Sequence, residues 1–191
     1  FMGFADEDLR PQDIYGGKRF RSSLCLLLVD WLGERSTGIE VATAVELFHN
    51  FTLIHDDIVD GDTLRRGRPT VWKLWGIPHA INSGDAQLLM VYEVLQKNDK
   101  LSADNKIAIS QFLTKQYLKV AEGQYLDFVL TEAKLGDSVV SEETYYKMIE
   151  CKTADLIAAA AKVAGMVAGV SEVEQEALFQ YGLNLGIAYQ I

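Results

Sequence analysis

Apolar positions in this chain come in long runs separated by short polar ones, without the period-two alternation that marks strands. Residues 20–32 are apolar on most faces, which predicts a buried helix ended by Gly33 and the polar Glu-Arg-Ser-Thr-Gly run. Residues 40–60 form a longer helical segment whose last turns become acidic. A polar loop spans 61–69, and helical segments follow at 80–96 and 102–131, the second opening at Ser102-Ala103-Asp104. Ser141-Glu142-Glu143-Thr144 has the residue types of a helix start and opens a segment to about residue 169. The last segment, 171–191, carries Glu172, Glu174 and Glu176 in its first turns, where the helix dipole favours them. Only Pro11, Pro69 and Pro78 interrupt this pattern. It predicts one all-α domain over residues 1–191, with no strands and with helices too apolar to stand alone.

Composition excludes several classes. With 49% apolar residues the chain is not disordered, and 191 residues suffice for one sizeable core. A net charge of −9 without a long basic run argues against nucleic-acid binding. The apolar runs 24–29 and 158–170 are too short or interrupted to span a bilayer, so no transmembrane segment is expected. The first residues lack the basic and apolar regions of a secretory signal. Cys25 and Cys151 lie far apart in apolar or helical settings, as core residues of a cytoplasmic, reduced protein do.

Chemistry concentrates where the second segment ends, at His55-Asp56-Asp57-Ile58-Val59-Asp60, followed by Arg65-Arg66-Gly67. Asp56 and Asp60 are four apart and share a helix face, so they repel unless a cation lies between them. Oxygen-only ligands suit Mg²⁺, which completes its shell with water and substrate phosphates, and the arginines then read as diphosphate clamps. A bare cluster of this kind is also common as solvated surface; the arginines and the apolar run before it shift the balance toward a site. Lys18 and Arg21 project together from the Gly16-Gly17-Lys18-Arg19-Phe20-Arg21 stretch, where a helix N-terminus attracts anions. His49 sits two turns below Asp56 on the same face, and spacing leaves both a core and a ligand-contacting role open. His55, about 100° round, reads as packing or support. Gln124 and Asp127 are three apart and can face one cavity, while Lys152-Thr153 lies in an apolar stretch where a lysine needs an anionic partner or a path to solvent.

Together these pieces resemble the trans-isoprenyl diphosphate synthases, or polyprenyl synthetases. The match runs through Gly-Gly-Lys-Arg-Phe-Arg, Glu-Leu-Phe-His, His-Asp-Asp-Ile-Val-Asp, Arg-Arg-Gly-Arg-Pro-Thr, Ser-Gly-Asp, Glu-Gly-Gln-Tyr-Leu-Asp, Lys-Thr-Ala and Gly-Ile-Ala-Tyr-Gln-Ile. The resemblance implies an isoprenoid synthase-type helical bundle around a deep central cavity, usually a homodimer. It implies Mg²⁺-dependent, head-to-tail condensation of isopentenyl diphosphate with an allylic diphosphate (dimethylallyl, geranyl or farnesyl). Carried over, Asp56 and Asp60 would be Mg²⁺ ligands supported by Asp57. Arg65 and Lys152 would contact the allylic diphosphate with Gln190 beside it, and Thr153 would face the developing cation. Lys18, Arg21, His49 and Arg66 would hold isopentenyl diphosphate, with Gln124 and Asp127 as a supporting shell.

Product length is a further implication of the resemblance. It puts Phe51 and Thr52 at the cavity floor, although helical spacing alone sets only Thr52 below Asp56 and Phe51 about 140° round. An aromatic and a small residue there are similar to a short-chain geranylgeranyl diphosphate synthase, with a farnesyl diphosphate synthase as the alternative. The chain departs from the family pattern in ending at Ile191, ahead of a second aspartate-rich motif. Few residues precede the Gly-Gly-Lys-Arg stretch, and some are expected to be missing near Tyr15-Gly16. The expectation is a chain incomplete at both ends and inactive alone. A non-catalytic partner subunit is a competing reading. A class I terpene cyclase is disfavoured by Lys18, Arg21 and Arg66. A di-metal carboxylate bundle is disfavoured because Glu46-Leu47-Phe48-His49 has no second copy.

Overall fold

The computed structural model describes residues 17–134 and 136–191. Gly16, Pro11 and the junction at Tyr15 lie outside the described residues. The fold is all-α: α1 (Phe20–Leu32), a 3₁₀ turn (Arg35–Thr37), α2 (Ile39–Val59), α3 (Val71–Trp75), α4 (Ile77–Lys97), α5 (Ala103–Glu132), α6 (Glu142–Ile149), a π segment (Glu150–Ala154), α7 (Asp155–Ala168) and α8 (Glu172–Gln190). No described helix is long and apolar enough to cross a membrane.

The helix starts follow from their capping residues. Ser102 and Ser141 each accept a backbone N–H from three residues on, from Asn105 and Thr144 at 3.1 Å. Ser171 and Glu174 close a reciprocal capping box.

Three departures from the sequence pattern matter for the site. The polar loop contains a minimal antiparallel hairpin, β1 (Leu64–Arg65) and β2 (Arg68–Pro69), so the expectation of no strands is corrected. Its strands are two residues long, too short for any alternation to register, and Arg66 and Gly67 form the turn with φ of 53° and 79°. The segment expected at 80–96 begins earlier, at Ile77 with Pro78 in its first turn, and the short α3 precedes it. The segment expected at 141–169 is not one α-helix: around Lys152 it widens to π geometry, with the Asp155 N–H bonding to the Glu150 carbonyl five residues back.

The core centres on α7, most of whose residues are buried, as are Val29, Val45, Leu95 and Leu113 from the surrounding helices. Burial of each such aliphatic side chain contributes about 1.5–3 kcal/mol. Alanines on α7 and the π segment and glycines on α8 let the backbones touch: a Cβ on Gly182 would lie 2.6 Å from the Ala158 Cα, and one on Gly186 would lie 2.5 Å from the Ala154 Cα. Cys25 and Cys151 are buried and unpaired in this core, as their settings in the sequence suggest.

Candidate active site

The last turn of α2 meets α5 and the π segment. Asp56 Oδ1 accepts an N–H from Gln124 Nε2 at 2.8 Å and lies 4.0 Å from Lys152 Nζ. The ammonium of Lys152 donates to Asp127 Oδ2 at 2.6 Å. Gln124 and Lys152, 28 residues apart in sequence, are thus brought to the Asp56 carboxylate, with Asp127 holding the lysine. The approach depends on Gly123, because a Cβ there would collide with the Lys152 backbone N and sit 2.6 Å from the Cys151 carbonyl carbon. Asp60 extends the acidic face. Partial burial raises its carboxyl pKa, repulsion from Asp56 raises it further, and Lys152 opposes both. Among the described residues, no group of three His, Cys, Asp or Glu side chains gathers to enclose a metal.

Asp57 has a different task from its neighbours. It is buried and accepts the Arg65 Nε–H, while Arg65 Nη2 lies 3.7 Å from Asp62. Burial pushes the Asp57 carboxyl up and the Arg65 hydrogen bond pulls it back. The hairpin is also tied down through the Asp62 carbonyl, which accepts from Trp72 Nε1 at 2.7 Å and Thr70 Oγ1 at 2.8 Å. Asp57 therefore fixes the arginine-bearing hairpin to α2.

A second charged centre lies lower on α2. Arg21 Nη1 donates to His49 Nε2 at 3.3 Å, and since guanidinium only donates, the ring proton belongs on Nδ1. Burial first, and then the cations Arg21, Arg66 and Arg65, push the His49 pKa down to about 3. The Arg66 guanidinium occupies the space a Cβ on Gly17 would need, so that glycine, at φ 74°, opens the pocket. Burial lowers the Arg21 pKa as well, with Glu46 opposing. Lys18 is exposed just before α1. A neutral imidazole bonded to Arg21, with the charges of Arg66 and Arg65 near enough to act on it, is a site prepared for an anion.

Between α2, α4 and α5 runs a cavity of about 500 Å³, with Asp56 and Gln124 on its wall. Phe51 and Thr52 both line it, as do Leu88, Tyr117 and Phe128. The Phe51 ring packs edge-on against His55 at 4.8 Å and tilted against Phe48 at 5.5 Å, and Phe48 stacks on Tyr117. Thr52 Oγ1 donates to the His49 carbonyl at 2.8 Å, which leaves its methyl as the apolar group. The α5 wall was readable in the sequence, since Tyr117, Ala121, Gln124 and Phe128 recur at helical spacing. The α4 wall carried no such signal. Thr153 follows Lys152 in the π segment and is half-buried. Gln190 is exposed in the last turn of α8, whose Tyr189 stacks on Phe20 at 6.1 Å. That stacking ties the end of α8 to the start of α1, beside the arginine centre.

Residues 12–191 match the family model described as Polyprenyl synthetase. The chain belongs to the polyprenyl synthetase family. This polyprenyl synthetase is 38% identical to the geranylgeranyl diphosphate synthase of Methanosarcina mazei, over 95% of this chain and 58% of the relative. It is 37% identical to the (2E,6E)-farnesyl diphosphate synthase of Mycobacterium tuberculosis, over the whole of this chain and 51% of the relative. The solved geranylgeranyl pyrophosphate synthetase of the archaeon Geoglobus acetivorans superposes with a TM-score of 0.86 at 38% identity, over 92% of this chain and 56% of that one. The chain spans about half the length of the relatives it matches.

Proposed function

We propose that the whole protein is a Mg²⁺-dependent prenyltransferase. It condenses an allylic diphosphate with isopentenyl diphosphate head-to-tail and releases geranylgeranyl diphosphate. The observation that carries this reading is the pairing of two charged centres along α2 with one apolar cavity: carboxylates and Lys152 at the helix end, and arginines around a neutral His49 below.

Asp56 and Asp60 offer hard oxygen donors one turn apart, and the upward push of Asp56 on Asp60 is the repulsion a cation relieves. They would hold Mg²⁺, which when bound supplies Lewis-acid stabilisation to a departing diphosphate. Lys152 contacts that allylic diphosphate and adds positive charge as the C–O bond ionises. Arg65, whose Nε is held by Asp57, contacts the same group, and Gln190 flanks it. Gln124 and Asp127 orient Asp56 and Lys152. Thr153 offers its hydroxyl and carbonyl to the developing cation. Lys18, Arg21, His49 and Arg66 hold isopentenyl diphosphate. The apolar walls keep water from the cation, and Phe51 and Thr52 limit chain growth. The last proton leaves with diphosphate, so no protein base is assigned. The enzyme works as a cytoplasmic homodimer.

A farnesyl product is the second reading, favoured by the Phe51 ring wedged between Phe48 and His55 one turn below Asp56. Incubating the full-length protein with Mg²⁺, isopentenyl diphosphate and each allylic diphosphate, then sizing the products, tests both. A C20 product is expected. A C15 product selects farnesyl, and no product with any of the three allylic substrates overturns the prenyltransferase reading.

A further inference from the structure

Asp155 is fully buried in the alanine-rich α7, an unusual place for a carboxylate. Its Oδ1 accepts from Lys119 Nζ on α5 at 3.1 Å, and its Oδ2 has no hydrogen-bond partner among the described residues. Lys119 is also held by α8, with its ammonium 5.7 Å from the centre of the Phe179 ring. A buried ion pair is weak evidence for stability, because desolvation offsets most of the attraction, so a different benefit is sought.

The positions of the charges indicate one. Lys119, Gly123 and Asp127 are spaced four apart and form a single stripe on α5. Lys119 meets Asp155, Gly123 meets the backbone at Cys151 and Lys152, and Asp127 meets Lys152. The two ion pairs therefore bracket the glycine contact and run in opposite senses, α5 giving the cation in one and the anion in the other. A slide of one helical turn would unpair both at once. The π segment replaces the α ladder with wider hydrogen bonds five residues apart, which moves its side chains off regular α positions, and it carries Lys152.

We propose that Lys119 and Asp155 are positioning residues: their ion pair locks the register of the π segment on α5 and so holds the Lys152 ammonium at Asp127 and Asp56. The diphosphate role of Lys152 rests on the function proposed above, whereas the register role stands without it.

The test uses the full-length protein with Asp155→Ala and Asp155→Asn. Lys119 is 39% exposed and can swing to water, so Asp155→Ala leaves no stranded buried cation. Labelling of Lys152 by an amine-acylating reagent, read by peptide mass spectrometry, is expected to accelerate roughly tenfold in Asp155→Ala. Asp155→Asn keeps an acceptor for Lys119 and should recover most of the protection. In steady state, KM for the allylic diphosphate rises by about the same factor while KM for isopentenyl diphosphate stays put, a split that general loosening would not produce. A lowered melting temperature with wild-type Lys152 labelling would make the pair merely structural and overturn the inference. If the wild type transfers no prenyl group, the proposed function fails while the labelling comparison still decides the register role. If Asp155→Ala does not fold, the pair is broken from the other side with Lys119→Met, where accelerated Lys152 labelling supports the register role and wild-type labelling overturns it.

Discussion

The two charged centres on α2 are balanced in opposite ways. At the helix end, opposite charges already sit together, Lys152 on Asp127 and Arg65 on Asp57, while the neutral Gln124 amide holds Asp56. Two turns lower, Arg21, Arg65 and Arg66 act on a histidine that has given up its own charge. In a protein of net charge −9, the first centre suits a substrate arriving with a cation and the second suits a bare anion. In the proposed reaction one helix serves two diphosphates, because each centre is tuned by different neighbours: α5 and the π segment above, α1 and the hairpin below.

Removing Asp56 should break the upper centre most severely. Asp56→Ala is expected to lower kcat/KM of the full-length enzyme by about 10²–10³ or more at saturating Mg²⁺. A loss below tenfold would show that the carboxylate end is not where charge develops. Arg21→Ala addresses the lower centre and should raise KM for isopentenyl diphosphate roughly 10–100-fold, the worth of a charged hydrogen bond. KM for the allylic substrate should hold, and a matched rise in both would erase the distinction between the centres.

A smaller effect separates the centres by pH. An unfolded histidine protonates near 6.5, whereas His49 in the fold resists protonation down to about 3. The unfolded state takes up that proton first. The contribution of His49 to stability is therefore intact above pH 6.5 and is lost as pH falls from 6.5 toward 3. Urea midpoints in phosphate-free buffer should drop between pH 7.5 and 5, and His49→Gln should flatten the drop; an unchanged slope would mean the ring is not held neutral. The mildest change concerns the cavity that Asp56 and Gln124 wall. Phe51→Ala should lengthen the product with little effect on either KM, as read by product chromatography, and an unchanged chain length would move the floor elsewhere.

Most helices and their caps were legible because their causes are local: Ser102, Ser141 and the Ser171–Glu174 box announce their own starts. The Asp56–Asp60 face was legible for the same reason, being set by helical period alone. What could not be read depends on partners distant in sequence. Nothing in Glu-Cys-Lys-Thr-Ala forbids an α-helix; the contact at this widened turn is with Gly123, on another helix. Asp57 reads in the sequence as a support for Asp56 and Asp60, and its partner, Arg65 on the hairpin, is set only by the fold. His49 stayed ambiguous because its character comes from Arg21 on α1 and Arg66 on the hairpin.

The widened turn at Glu150–Ala154 also constrains how this chain can change in length. Each residue of an α-helix advances the next by about 100°. Deleting Thr153 or Ala154 would shorten the path from Lys152 to the buried alanines of α7 by one residue and so turn the lysine relative to them. Either the lysine would leave Asp127 or the alanines would leave the core. Substitutions in this stretch can be absorbed one side chain at a time, but a shortening by a single codon cannot, so the extra residue acts as an insertion the fold has no route to discard.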